Sequence, residues 1–490
     1  MSTHKCRLAM LTLAATPLLV IPPSGAWAAS TATLGYRVID LGTLGGPNSS
    51  ETQEFPYINN AGLVVGFADT ATPDPDNGEG FVFHAFGWRG GPMTDLGTLP
   101  GGTNSFAIWS NPAGAVAGLS ETGRTDPLLG APESHAALWT DGRIVDLGTL
   151  GGHQSLAGYV NERGQVVGVA ADTVPDDVSL FGWGTRTRAF LWEKGTMRDL
   201  GTLGGPDAGA LAVNGNGQVA GASYTSSTPN ADTGIPTLHP FLWESGRMTD
   251  LGTLGGTVGL ANALNARGQV VGQSNLPGND SAHPFRWADG TLQDLGTLGG
   301  SFGTATWTND AGDVVGGATT RNDQAFHAFF WDDGGMTDLG TVGDDTCSVA
   351  HFMNAAGLVV GTSGDCGGQF EKHGFVTIRG AGMVDLNAFL PDGSELTITD
   401  GETVNDDGEI AASGMLPNGD FHAVVLVPCT SGDPGCRTAT SGETGTAPTR
   451  PARPVSQPWT PTGIGATVST FHRLLAASPH AASPLARGLR

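Results

Sequence analysis

An all-β ring of short four-stranded units is the fold class this sequence predicts, on three observations. The phrase Asp-Leu-Gly-Thr-Leu-Gly-Gly stands unchanged at Asp40–Gly46, Asp146–Gly152, Asp199–Gly205, Asp250–Gly256 and Asp294–Gly300, with near copies beginning at Asp95, Asp338 and Asp385. Successive Asp-Leu pairs lie 55, 51, 53, 51, 44, 44 and 47 residues apart, and each interval holds four short apolar runs. The 490 residues include 77 glycines and are only 14% charged, which suits many tight turns and few long helices; glycine is usually ~7% of a chain. Four strands recurring at such a period are the pattern of a β-propeller. The expected form has eight four-stranded blades closed by the N- and C-terminal strands; seven blades or an open β-repeat array are the alternatives.

The chain opens with Lys5 and Arg7, an apolar run over 8–21, a Pro22-Pro23 break and Ala26-Trp27-Ala28, which together read as a secretory signal peptide over 1–28. The run is shorter than the ~20 residues a membrane-spanning helix needs. A secreted, extracellular protein of bacterial-type export is therefore expected, with no membrane span. Four cysteines remain beyond it, an even number suited to an oxidising compartment. Cys347 with Cys366 and Cys429 with Cys436 are the preferred disulfides by proximity, and two other connectivities stay open. The spacings lack the paired pattern of a zinc site.

The repeats occupy 36–427. Val166-Val167-Gly168 and its counterparts alternate as strands do, and no window sustains a helical period. With the strands named a to d, each a-b connection carries Asn-x-x-Gly: Asn59/Gly62, Asn111/Gly114, Asn161/Gly164, Asn214/Gly217, Asn265/Gly268, Asn309/Gly312, Asn354/Gly357 and Asn405/Gly408. Both residue types tolerate the positive φ of a tight hairpin. The c-d turn follows a tryptophan, at Trp88, Trp139, Trp192, Trp243, Trp287 and Trp331, whose shared register assigns them to packing. The repeated phrase is the d-a crossover: its Asp can accept hydrogen bonds from turn amides, and its glycines allow the sharp crossing. A phosphate cradle would need a following helix or a Gly-Lys-Ser/Thr ending, and neither occurs. At the ends, Tyr36–Gly42 is a strand d without a strand c, and Phe421–Val427 a strand c without a strand d. Pairing them would complete the last blade and remove exposed sheet edges.

The pattern His-Ala-Phe-Leu-Trp, Gly-x-Met-x-Asp-Leu-Gly-Thr-Leu-Gly-Gly, Asn-x-x-Gly-Gln-Val-Val-Gly resembles the HAF-repeat family of extracellular repeat proteins. His84-Ala85-Phe86 and His327-Ala328-Phe329 carry its triplet outright, and His239-Pro240-Phe241 and His283-Pro284-Phe285 vary it. The resemblance covers 36–427 and implies an extracellular repeat protein, with no established activity. Arg188 replaces the histidine in one copy, and Thr377 stands at a tryptophan position, so no function should need every copy.

Seven of the twelve histidines (His84, His135, His239, His283, His327, His373 and His422) recur four residues before the tryptophan position. Spread one per blade, they cannot share an ion at ~2.0–2.1 Å bond lengths. Hydrogen bonding to an aspartate within each blade is the expectation.

Function is expected where the repeat varies, in the b-c loops at 68–83, 119–134, 170–187, 222–238, 273–282, 317–326, 362–372 and 413–421, on the same face as the d-a crossovers. The first four are longest and combine Asp74, Asp76, Asp176 and Asp177 with the aromatics Phe81, Phe181, Trp183 and Tyr224. Those eight residues are the expected ligand-binding set, since aromatic faces beside carboxylates suit a sugar or a cationic peptide. The partner is then an extracellular glycan or protein. Nucleic acid is excluded: residues 30–429 carry 15 Lys/Arg against 45 Asp/Glu, a surface that repels phosphate. Neither Gly-x-Ser-x-Gly, His-Glu-x-x-His, a cysteine nucleophile with a histidine base, nor a sialidase box occurs, so no catalytic residue is assigned. A non-catalytic binding module is the expected function. A carbohydrate-active enzyme using loop carboxylates and a purely structural surface protein are the rivals. No cofactor and no metal ligand are assigned; Asp-Pro-Asp-Asn-Gly-Glu-Gly at 74–80 has only a partial resemblance to a calcium loop. Residues 428–490 read as a disordered tail rich in Thr, Ser, Pro and Gly.

Overall fold

A computed structural model describes residues 33–50, 56–74, 80–231, 233–366, 372–378 and 381–440. The signal peptide expected at 1–28 and residues 441–490 lie outside the described residues. What is described is almost wholly antiparallel sheet, interrupted only by 3-10 turns at Arg321–Asp323 and Leu386–Phe389. No helix among the described residues is long and apolar enough to cross a membrane.

The fold is a β-propeller. Among the described residues there are seven sheets: five have four strands, one has five and one has eight. The eight-stranded sheet consists of two consecutive meanders joined by a single parallel pair, Ala282 with Phe302. A representative unit runs Ser155–Val160 (a), Val166–Pro175 (b), Thr185–Glu193 (c) and Thr196–Asp199 (d), each strand paired antiparallel with the next. The alternating Val166, Val167 and Val169 are fully buried because both sheet faces are covered by neighbouring units.

The terminal strands pair as the sequence predicts. Thr33–Asp40 lies antiparallel to Phe421–Pro428, with Val38 opposite Leu426. A disulfide between Cys429 and Cys436 then turns the chain so that Arg437–Thr440 adds a fifth strand outside Thr33–Tyr36. Residues 428–440, assigned to the tail by composition, are thus ordered: the short closed loop returns four residues whose backbone groups satisfy the outer strand. The second disulfide joins Cys347 and Cys366, so both preferred pairings form.

The Asn-x-x-Gly turns do more than close hairpins. All eight glycines adopt positive φ, between 70° at Gly62 and 91° at Gly114, as the turn requires. The asparagines do not. Asn161 instead accepts the amides of Arg163 and Gln165 on Oδ1, while its Nδ2 donates across to the carbonyl of Asn214 in the next unit at 2.9 Å. The same transfer runs from Asn59 to Asn111, Asn111 to Asn161, Asn214 to Asn265, Asn265 to Asn309, Asn354 to Asn405 and, across the termini, from Asn405 to Asn59. One link differs. Asn309 Nδ2 bonds Asp313 Oδ2 at 3.0 Å and meets only the sulfur of Met353, at 3.9 Å, in the following unit.

On the outer side, the recurrent histidines meet the aspartates of the repeated phrase. His84–Asp95, His135–Asp146, His239–Asp250, His283–Asp294 and His327–Asp338 pair through Nδ1 at 2.8–3.0 Å. The same carboxylates accept the amide two residues on, as at Gly42, Gly148 and Gly252. Arg188 replaces histidine and bonds Asp199. His373 turns to Asp345 instead, since Asp385 caps a 3-10 turn by accepting the Asn387 amide. His422 with Asp40 makes the pair across the seam.

Replacing Asn161 by alanine removes a buried donor and acceptor and should cost about 1–3 kcal/mol. The same change at Asn309, whose link to the next unit is only a weak one to the Met353 sulfur, should cost about 1 kcal/mol less; urea denaturation of both variants checks this. At the seam, the hydrogen bond to Asp40 holds His422 above its ordinary 6.5 despite burial. Burial works to raise Asp40, but His422 and the Gly42 amide outweigh it and hold Asp40 below 3.8. The His422 contribution is complete below about pH 6.5 and fades as pH rises through its folded pKa. The Asp40 contribution is present above about pH 4 and fades as pH falls through its own. His422→Gln should therefore destabilise most between those limits, by about 1 kcal/mol or less because Asp40 is partly solvated, and less at pH 8. Thermal melts of variant and parent across pH 3–9 measure it.

Candidate functional site

The face expected to carry binding is built differently from the expectation. Strands b and c run on as paired hairpins past the repeat core, so that Pro73 meets Phe81, Thr125 meets Pro132, Pro175 meets Thr185 and Pro229 meets Pro236. Much of each loop assigned at 68–83, 119–134, 170–187 and 222–238 is therefore strand, because the unpaired ends of two long strands satisfy one another. The crossovers do lie beside these hairpins, as the Leu44–Thr70 and Leu298–Thr320 bridges show.

The aromatics expected to be exposed are core. Phe181, Trp183 and Tyr224 are 6%, 3% and 0% exposed and share one buried cluster with Phe106, Leu156, Leu238 and Leu260. Segment 176–184 folds inward: the Gly182 amide closes a turn onto the Ser179 carbonyl, and Phe181 stacks obliquely on Trp183 at 5.3 Å. Asp207, at the start of the next unit, accepts the amides of Leu180 and Thr187 and fastens the segment down. Burial pushes that carboxyl up to about 7, against the pull of those two amides. The aromatics turn inward because the apolar ends of the inner strands need a cover, a demand that sequence spacing does not display. Of the expected carboxylates, Asp74 is buried and accepts from Asn104, Asp176 is half-buried with its Oδ1 on the Val178 amide, and Asp177 is exposed. Phe81 is half-buried. Asp76, with most of the calcium-like segment, lies outside the described residues. The seven described members of the set do not form one exposed surface.

What the hairpin tips expose is aliphatic. Among the described residues the exposed large hydrophobics are Leu128 (60%), Val174 (41%) and Ile378 (37%). The first two belong to tips of consecutive units. Each tip is held from below: the Leu128 amide donates to buried Asp126, which also accepts Gln154 Nε2 at 3.0 Å, and the Val174 amide donates to Asp172, itself paired with Arg186. Arg124, on the same hairpin as Leu128, is bonded to Glu133.

Inside the ring, seven inner strands carry a β-bulge one residue ahead of an aromatic or small side chain, and the short described strand Tyr57–Ile58 pairs without one. The bulged residues include Ile108, Gly158, Leu211, Asn262, Thr306, His351 and Glu402. Trp109 and Trp307, 198 positions apart in sequence, approach to 5.9 Å, and Trp307 stacks on Phe352 at 4.0 Å, so aromatic rings fill this level of the interior. Bulge side chains reach forward: Asn262 Nδ2 donates to Ala305 O at 2.7 Å, and Thr306 Oγ1 to Ala350 O at 2.8 Å.

At the next step the bulge residue is His351. Its Nδ1 lies 3.2 Å from Asp400 Oδ1 and 3.7 Å from Glu402 Oε2. Asp400 stands five residues before the turn asparagine, where other units place Phe106, Leu156 and Leu260, and a second bulge at Thr399 precedes it. Burial opposes a charged imidazole, but Asp400 and Glu402 outweigh it and hold His351 well above its ordinary range. Burial and the adjacent Asp400 push Glu402 up. Sequence reasoning missed this trio. Aligning the units on their turn asparagines would have exposed it, as three of the four ionisable residues, with Glu54, at two positions that are otherwise mostly apolar.

No family model matches the chain, and no curated protein matches it. Among solved structures, the β-propeller domain of the Trilobed protease from Pyrococcus furiosus is similar at 10% identity and a TM-score of 0.40, covering 66% of this chain and 92% of that one. TolB from Acinetobacter baumannii is similar at 14% identity and a TM-score of 0.32, covering 67% and 66%. The polysaccharide lyase Uly1 is similar at 11% identity and a TM-score of 0.32, covering 66% and 77%.

Because Trp183 is core, Trp183→Ala should lower stability by about 3–5 kcal/mol. Guanidinium denaturation reads this directly; a loss below about 1 kcal/mol would return Trp183 to the surface.

Proposed function

We propose that this chain is an exported, non-catalytic binding module, a propeller of eight blades belonging to the HAF-repeat proteins it resembles. Its ligand, a glycan or a protein, meets the b-c face over the second and third units. The observation that carries this reading is the pair of solvated aliphatic side chains, Leu128 and Val174, on adjacent tips fixed by Asp126 and Asp172. A solvated leucine on a rigid tip gives a partner apolar area to cover with little ordering cost. Arg124, Arg186 and Asp177 around the tips provide a polar rim of both signs. Two disulfides and the Lys5–Ala28 segment support export.

The double variant Leu128→Ser, Val174→Ser should lose at least tenfold in retention on a glycan array or by an extracellular protein ligand. Its stability should change by less than about 0.5 kcal/mol. Unchanged retention would remove the tips from the site. Release of a cleaved product would support the carbohydrate-active enzyme instead, and silence toward every glycan and protein tested would leave the structural role.

A further inference from the structure

We propose that His351, Asp400 and Glu402 form a binding site for one divalent transition-metal ion, independent of the ligand face above. One nitrogen and two carboxylate oxygens from these residues all lie within 4.8 Å of one another. Bonds of about 2.0–2.1 Å in a tetrahedral shell place neighbouring ligand atoms about 3.3 Å apart. The 3.2 Å and 3.7 Å separations from His351 Nδ1 bracket that spacing.

A second feature points to a ligand. Asp400 is fully buried, and apart from the ion pair with His351 neither of its carboxylate oxygens has a hydrogen-bond partner. A buried carboxylate normally accepts hydrogen bonds or coordinates a metal. Glu402, two residues along the same strand, adds another carboxylate, and a single imidazole faces both. A divalent cation would balance the two acids and give Asp400 the partner it lacks.

The backbone also favours a built site. Bulges re-aim side chains, and they recur beside functional sites. Here the bulge shared by the inner strands sets His351 and Glu402 into the same interior space, and the additional bulge at Thr399 precedes Asp400. Ser413 Oγ donates to Glu402 Oε1 at 3.3 Å and so orients the second carboxylate from behind. His351 keeps 21% of its side-chain surface accessible, which leaves an approach for an ion and for a fourth ligand such as water. One imidazole with two carboxylates suits zinc or another first-row ion. Calcium and magnesium favour six or more oxygen ligands, which these three residues do not supply.

Purified protein stripped with chelator would be titrated with zinc chloride by calorimetry, and its bound metal counted by mass spectrometry after dialysis. About one zinc per chain is expected, raising the melting temperature and not displaced by a hundredfold excess of calcium. Asp400→Asn and His351→Gln should each weaken binding at least tenfold, whereas His239→Gln, in an exposed His-Asp pair, should not. Absence of a stoichiometric zinc, or equal binding by Asp400→Asn and the parent, would overturn the site. Should those variants fail to fold, zinc-edge anomalous density from crystals of the unaltered protein decides it: a peak among the three side chains supports the site, and a peak only elsewhere overturns it.

Discussion

The transfer of a hydrogen bond from one turn asparagine to the backbone of the next is the interaction on which the rest of this structure depends. Strands within a unit are held by their own ladder, but units must be held to each other, and packed apolar faces alone set no fixed angle between sheets. Asn161 ties its own turn through two backbone amides and then reaches the Asn214 carbonyl. A step repeated at one geometry bends the row of units by a constant amount until Asn405 reaches Asn59. Around that inner circuit the buried phenylalanines Phe86, Phe190, Phe241, Phe285 and Phe329 fill the space between sheets. On the outside, the His-Asp pairs fix each final strand and the glycine turn that leaves it.

The seam uses those same devices rather than special ones. His422 with Asp40 reproduces the pair found inside other units, and Ser49 Oγ accepts the Ala423 amide as Ser105 and Ser155 do for Ala85 and Ala136. A sheet completed from both chain ends therefore resembles a sheet completed by one hairpin. What it adds is the fifth strand Arg437–Thr440, closed by its own disulfide loop.

Most of this was legible because it is periodic. The register of histidine against aspartate and the glycine turns are relations between positions that the repeat displays again and again, while the unmatched terminal strands and the cysteine pairs stand out where it stops or departs. The site was less legible for the opposite reason. Whether Trp183 faces water depends on the side chains of other units that meet it, and one repeat does not contain that information. The lengths of the b-c hairpins depend likewise on pairing between segments too irregular to match a template. Leu128 and Val174 were passed over because aliphatic residues at a hairpin tip look like ordinary strand residues. His351, Asp400 and Glu402 left a signal in their departure from the aligned pattern. The interior consequently divides, with apolar bulge positions at Ile108 and Leu211 and polar ones from Asn262 through Thr306 and His351 to Glu402.

Closure of the ring by the two chain ends is the central claim, and native-state hydrogen exchange tests it most directly. If Thr33–Asp40 and Phe421–Pro428 complete a sheet within the circuit, their paired amides should exchange as slowly as those of Val166–Pro175 and Thr185–Glu193, through the same global opening. Exchange of the terminal strands orders of magnitude faster than those reference strands would mean that the seam opens by itself, and would contradict the closed ring.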